Sequence, residues 1–307
     1  MNYKTVAVVG TGTMGPGMGA VMASAGARMT LFDLDPAALE RAKAGVALAR
    51  GVLDKLEVVD HGGTVSFSHS LESTVADADL VIEAVPEQLA LKQQVFADLE
   101  RIVSPETVLA SNTSGIPITS IAEHLAHPER VVGMHWSNPP HLIPMIEIIP
   151  GERTAESTTQ DLADYVASFG YQAVVEKEVP GFVENRILYA ILRECLALVE
   201  SGIISQADMD TCVRWGIGYK LAVIGPMELL DMAGLDIYKN VGTYLNPDLS
   251  TASEVSPMIQ NLASTGRLGM KTLGGIYDYT QEEVAAKRAE IAAALVAVRK
   301  ALVATRP

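Results

Sequence analysis

The sequence predicts an α/β fold: a doubly wound, mainly parallel sheet over residues 1–182, then an all-helical region over residues 183–307. Three observations carry this. Short apolar strands alternate with helical stretches through the first half, at the spacing of right-handed strand–helix–strand crossovers. The first strand, Val6–Val9, runs into Gly10-Thr11-Gly12-Thr13-Met14-Gly15, and the second ends on Asp33, 18 residues past Gly15. Beyond Val179-Pro180-Gly181-Phe182 the strand patterns stop and helical periodicity takes over.

The G-x-G-x-x-G turn between a buried strand and a helix suits a dinucleotide. Gly10 permits the tight turn, Gly12 lets backbone approach a pyrophosphate, and Gly15 allows the helix to pack on the strand. Thr13 and Met14 complete the phosphate loop, and the helix N-terminus adds free N–H groups and a positive dipole end. Asp33 is placed to take ribose hydroxyls, and its charge repels a 2′-phosphate. The first half is therefore expected to be a Rossmann-type domain that binds NAD.

The other elements follow in order. Pro36 to about Leu56 reads as an alanine-rich helix, Thr64–Ser68 as a strand and Ser70–Ala76 as a helical stretch. Leu80–Val85 is a continuous apolar strand of the kind a parallel sheet buries. Lys92–Ile102 is helical, Val108–Asn112 a strand, Ile118–Leu125 a short helix and Val131–His135 another strand. Met145–Ile149 and Gln172–Glu176 read as further strands around a helix over Ala155–Phe169. In the second region Val183–Ser201 places Ile187, Ala190, Ile191, Cys195, Leu198 and Val199 on one helical face. Later helices are expected at about Gln206–Trp215, Pro226–Leu245, Ser256–Ser264 and Glu282–Thr305.

Composition excludes several function classes. The 307 residues suffice for two domains. With 23 basic against 37 acidic residues the net charge is −14, which argues against nucleic acid or an anionic membrane as partner. Nothing approaches 18 uninterrupted apolar residues, so no membrane span is expected. Cys195 and Cys212 have no metal-like spacing. They read as buried thiols in a reducing, cytoplasmic compartment, and no metal is expected. Ile187, Leu188, Ile191 and Leu192 give one helix a wide apolar surface, which predicts a two-fold homodimer.

Ligands of open parallel sheets sit beyond the carboxyl ends of the strands. Three such ends are polar: Val85-Pro86-Glu87-Gln88, Ser111-Asn112-Thr113-Ser114-Gly115 and His135-Trp136-Ser137-Asn138-Pro139-Pro140. His135 is the candidate general base, since imidazole titrates near working pH and an alcohol must lose a proton as hydride leaves. Glu147, on the next strand, is the candidate carboxylate that fixes its tautomer. Ser114 and Asn138 offer hydrogen bonds to a substrate oxygen or the nicotinamide amide, Asn112 lies beside them, and Asn185 opens the first long helix. Singly, each has an ordinary structural explanation; jointly they point to hydride transfer on a small molecule.

These stretches resemble the L-3-hydroxyacyl-coenzyme A dehydrogenase family. The carrying segments are Gly10–Gly15, Val81–Glu87, Ser111–Ser114, Gly133–Pro139, Pro180–Arg186, Gly225–Asp231, Gly269–Lys271 and Gly275–Tyr277. The resemblance implies an NAD-binding domain, a helical dimerisation domain and a catalytic pair at His135 and Glu147. It places substrate contacts on Ser114 and Asn185, and cofactor contacts on Asp33, Glu87, Lys92, Ser114 and Asn138.

Three departures separate this chain from the family pattern. Trp136-Ser137 stands where two phenylalanines are usual. The region after the second strand is shorter and offers few basic residues, Lys43, Arg50 and Lys55 among them, to a coenzyme A phosphate. The segment Gly216–Pro226 is lengthened and contains Lys220. In these respects the chain is similar to family branches acting on free acids, including pyridine carboxylates, with Lys220 and Ser137 as candidate substrate contacts. An acyl-coenzyme A thioester is the competing substrate, and a catalytically silent, crystallin-like NAD-binding protein the competing class.

Overall fold

The strand β1 (Thr5–Val9) is apolar and almost wholly buried, and it sits inside the sheet rather than at an edge. It pairs in parallel with β2 (Arg28–Phe32) on one side and β4 (Leu80–Glu83) on the other. β2 in turn pairs with β3 (Thr64–Ser68), and β4 leads through β5 (Val108–Ser111) to β6 (Val131–Trp136), all parallel. β7 (Met145–Pro150) then runs antiparallel to β6, and β8 (Gln172–Val175) parallel to β7. Only eight residues separate β6 from β7, too few for a crossover helix, so the chain reverses direction. The computed structural model describes residues 3–304, and among them these eight strands form one sheet ordered β3-β2-β1-β4-β5-β6-β7-β8.

Helices cover both sheet faces. α1 (Gly15–Ser24) and α2 (Pro36–Lys55) pack with β1, β2 and β6 in one apolar cluster that includes Met18, Met22, Leu31, Leu53 and Trp136. α4 (Leu89–Ile102), with the short α3 (Leu71–Val75) and α5 (Ile118–Ile121), covers the other face around Phe96, Leu99 and Phe182. α6 (Glu156–Ser168) connects β7 to β8. The entry to α2 follows from its sequence: Asp35 caps Ala37 N–H, and Pro36 occupies the first turn, where its missing N–H costs nothing.

The chain divides into two compact units, one ending at Asn185 and one beginning at Arg186. α7 (Phe182–Glu200) spans that position without a linker. The second unit is helical, as expected: α8 (Gln206–Cys212), α9 (Tyr219–Leu221), α10 (Pro226–Ala233), α11 (Leu235–Leu245), α12 (Pro257–Ser264) and α13 (Gln281–Ala304).

Several expectations need correcting. The helix over Pro226–Leu245 is two helices, because Gly234 sits at φ +100°, outside helical space. The helix starting at Gln206 changes to a π-helix over Val213–Gly218, and the lengthened segment continues as a helical turn. Cys195 is half-buried and Cys212 exposed, not both buried. Thr305, the expected end of the last helix, lies outside the described residues. No helix among them is long and apolar enough to cross a membrane.

Candidate active site

The phosphate loop has the expected stereochemistry. Gly10 adopts φ +105°, and a Cβ there would stand 2.6 Å from the Ala84 carbonyl oxygen. A Cβ on Gly15 would lie 2.7 Å from Gly10 O, whereas one on Gly12 would meet nothing within 4 Å. The loop is thus closed against the sheet and open on its outer edge, where Gly12 and Thr13 are exposed. Met14 precedes α1 and makes no side-chain cap, which leaves the first-turn N–H groups facing that space. These features fit a dinucleotide pyrophosphate.

Asp33 is half-buried at the end of β2. Its Oδ2 accepts Thr11 N–H at 2.9 Å and the Thr11 hydroxyl at 2.8 Å, and its Oδ1 accepts Asp35 N–H at 3.0 Å. Burial alone would raise its pKa, but these donors outweigh burial and hold it below the usual carboxylate value. The carboxylate stays charged, with lone pairs left for ribose hydroxyls. Arg41, the guanidinium of the following helix, is engaged by Asp35 at 3.3 Å.

Behind the strand ends, Glu87 and Lys92, expected at the cofactor, belong to an ionic cluster whose third member, Glu83, was not expected there. Glu83 and Lys92 are both fully buried and pair at 2.7 Å. Glu83 also accepts Ser111 Oγ at 2.7 Å and Val85 N–H at 2.7 Å. Lys92 reaches Glu87 at 3.2 Å, and Glu87 accepts Ser114 N–H at 2.9 Å and Thr113 Oγ1 at 2.5 Å. Burial pushes Glu87 up, but the Thr113 hydroxyl, Lys92 and Ser114 N–H together hold it below its ordinary value. Lys92 therefore faces Glu83 and Glu87, and what it presents to a ligand it presents through Glu87.

The catalytic candidates meet across the antiparallel pair. His135 and Glu147 stand directly opposite in the β6–β7 register, both buried. His135 Nδ1 and Glu147 Oε2 are 2.7 Å apart, and Glu147 Oε1 accepts Glu184 N–H at 2.7 Å. Burial raises the Glu147 pKa, but the His135 hydrogen bond and the N–H groups of Glu184 and Val183 overcome it and lower the net value. An ionised Glu147 requires Nδ1 to carry the proton, which leaves Nε2 as the acceptor. Phe182, buried with φ +51° beside Gly181, sets its ring 5.7 Å from the imidazole.

The remaining candidates surround this pair. Ser137 Oγ donates to Glu184 Oε2 at 2.5 Å, so Ser137 is tied to the site through a residue not singled out from the sequence. Asn112 Oδ1 accepts Trp136 N–H at 2.9 Å and links the ends of β5 and β6. Asn185 Nδ2 donates to the Ser114 carbonyl at 3.1 Å, and Asn138 is exposed. Lys220 is exposed in the second unit. His135, Glu147 and Glu184 bring one nitrogen and two carboxylate oxygens within 4.8 Å of one another. The 2.7 Å His135–Glu147 contact holds a proton and Glu184 is engaged by Ser137, so the arrangement is built for proton handling.

Comparison with known proteins bears directly on this geometry. The model of the 3-hydroxyacyl-CoA dehydrogenase NAD binding domain matches residues 5–179, and that of the C-terminal domain of the same enzymes matches residues 181–279. The chain belongs to the 3-hydroxyacyl-CoA dehydrogenase family. It is an NAD-dependent dehydrogenase of that family. It is 51% identical over 303 residues to the 5-formyl-3-hydroxy-2-methylpyridine 4-carboxylate 5-dehydrogenase of Mesorhizobium japonicum, covering 97% of this chain and 98% of the relative. A solved structure of an enzyme of that name, an NAD+-dependent dismutase, superposes with a TM-score of 0.96 at 50% identity and full coverage of both chains. A probable 3-hydroxybutyryl-CoA dehydrogenase of Bacillus subtilis is 34% identical over 92% of this chain and 99% of its own length.

The sequence reading missed Glu83, Glu176 and Glu184. Glu83 carried one signal, a carboxylate closing the otherwise apolar run Leu80-Val81-Ile82. Glu176, just past a strand end, and Glu184, in the first turn of a helix, carried none, since glutamates in such places are ordinarily solvated.

Proposed function

We propose that this dehydrogenase acts on a small carboxylate, and specifically on the hydrated ring aldehyde or hydroxyl of a pyridine carboxylate. The observation that carries this is the 51% identity, over nearly the whole chain, to an enzyme named for such a substrate. His135, Glu147, Ser114 and Asn185 are all present, which favours an enzyme over a silent NAD-binding protein.

The residue roles follow from the geometry. His135 Nε2 accepts the substrate hydroxyl proton while Glu147 holds Nδ1–H and balances the imidazolium charge. Nicotinamide, when bound, supplies the hydride acceptor or donor. Ser114 and Asn185 orient the substrate oxygen, and Ser137 is a further substrate contact. Gly10, Gly12, Thr13, Met14 and Gly15 hold the pyrophosphate and Asp33 the ribose. Glu87, Lys92, Asn112 and Asn138 border the nicotinamide end. Lys220 is proposed as the partner of the substrate carboxylate, on its charge and exposure.

The apolar side chains exposed on α7, among them Ile187, Leu188 and Leu192, support self-association as a homodimer. The two free thiols suit a reducing, cytoplasmic compartment.

The test is turnover with NAD+ against a panel of 5-formyl-3-hydroxy-2-methylpyridine 4-carboxylate, 3-hydroxybutyrate and 3-hydroxybutyryl-CoA. The pyridine carboxylate is expected to give the highest kcat/KM, and Lys220→Met to raise its KM about 10²-fold. Efficient turnover of the thioester with neglect of both free acids would replace this reading by an acyl-CoA one. With NAD+ in catalytic amount, equal yields of the acid and the alcohol would identify dismutation.

A further inference from the structure

The sheet face that carries the base carries another titratable group. Glu147 on β7 pairs with Val174 on β8 in parallel register, and Glu176, two residues on, falls in phase on the same face. Glu176 N–H donates to Ile148 O at 3.1 Å, so the pairing extends to this residue. Both carboxylates end at one place. Glu147 Oε1 accepts Glu184 N–H, and Glu176 Oε1 accepts Val183 N–H at 3.0 Å, two consecutive donors in the first turn of α7. The other oxygen of Glu176, Oε2, is buried and accepts no hydrogen bond among the described residues. The Glu147 carboxylate is near enough to oppose a charge there. An anion at Oε2 would be desolvated, without a donor, beside a second negative charge. A proton on that oxygen removes all three penalties.

We propose that Glu176 is a positioning residue of the catalytic base. It is held protonated in the working enzyme, and its carboxyl O–H donates from Oε2 to Glu147. The row His135–Glu147–Glu176 then carries one negative charge beside the imidazole instead of two. This rests on the reading of His135 as the base.

The groups facing Glu176 are Glu147 from β7, His135 from β6 and, from α7, Val183 N–H, with the Glu184 carboxylate turned to Ser137. On its own segment Lys177 is exposed, and Glu178 is taken up by Thr119. Burial pushes the Glu176 carboxyl up, opposed by Val183 N–H and reinforced by Glu147, while Glu147 itself is held low. The two carboxyls therefore divide one proton unequally, with Glu176 as its holder. When Glu176 ionises at higher pH, a second negative charge stands beside Glu147 and the proposed donor to that carboxylate is lost.

The test is infrared difference spectroscopy of the full-length protein during a pH titration, alongside kinetics. A protonated-carboxyl C=O band is expected at neutral pH, lost on alkaline titration, absent in Glu176→Gln and intact in the exposed control Glu72→Gln. Glu176→Gln keeps an acceptor for Val183 N–H and a permanent donor to Glu147, so it should leave the acid limb of kcat/KM for oxidation in place. Glu176→Met keeps neither and should lose about tenfold in kcat with the KM for NAD unchanged. The proposal is overturned if wild type shows no such band, if the band survives in Glu176→Gln, or if Glu176→Gln moves the acid limb as removal of a full negative charge would. Should Glu176→Gln not fold, Glu176→Asp decides, since a band that shortening the side chain leaves unchanged belongs elsewhere. Undiminished turnover in His135→Ala would overturn the base assignment instead, with the band still present.

Discussion

At the scale of single residues, His135 is useful because Glu147 fixes both its tautomer and its orientation. General acid–base groups contribute about 10²–10⁴ in rate, so His135→Ala should lose that much in kcat while NADH binding, followed by fluorescence, persists. Glu147→Gln should lose less, because the ring stays in place with a weaker partner. The lowered Glu147 pKa has a thermodynamic counterpart. A carboxyl with a depressed folded pKa contributes stability above its unfolded value, and that contribution disappears as pH falls through the folded value. The stability gap between wild type and Glu147→Gln, measured by urea unfolding, should therefore narrow in acid. Asp33 governs the choice of cofactor. Its charge is held on by Thr11 and Asp35, and Arg41 is already engaged. NAD should bind at least about tenfold more tightly than NADP, or about 1.4 kcal/mol. Equal affinities by calorimetry would contradict this.

At the scale of elements, the turn after β1 is the least replaceable piece. Gly10→Ala meets both a left-handed φ and a carbonyl oxygen at 2.6 Å, and strain of this kind costs about 1–3 kcal/mol before any clash is relieved. A lower urea midpoint is expected, together with weakened NAD binding. The same piece was the most legible in the sequence, because a buried parallel strand is a plain apolar run and its glycines have few alternatives. The His135–Glu147 pair was legible too, through strand ends and family resemblance. Helix ends were less so. Apolar spacing continues through Gly234, and only the backbone angle there separates α10 from α11. Glu83, Glu176 and Glu184 were hidden for another reason: a glutamate acquires meaning from what tertiary structure puts opposite it. Lys92 illustrates the same limit, since nothing local marks a lysine on a polar helix turn as fully buried.

At the scale of the whole molecule, the second unit leaves Ile187, Tyr189, Trp215 and Met227 more than half exposed, an apolar burden unusual for a lone chain. Light scattering at micromolar concentration should give the mass of a dimer, and a monomer would refute it. The proton-handling side chains all precede Arg186, where the second unit begins. It is tempting to regard residues 3–185 as a self-sufficient catalytic fragment. The course of α7 says otherwise. Glu147 and Glu176 grip the N–H groups of Val183 and Glu184, and those groups point as they do because they belong to a 19-residue helix. Four residues cannot sustain a helical turn in water. A chain cut at Asn185 would keep every named side chain of the base and lose the scaffold that aims it; the cut has to fall beyond Glu200.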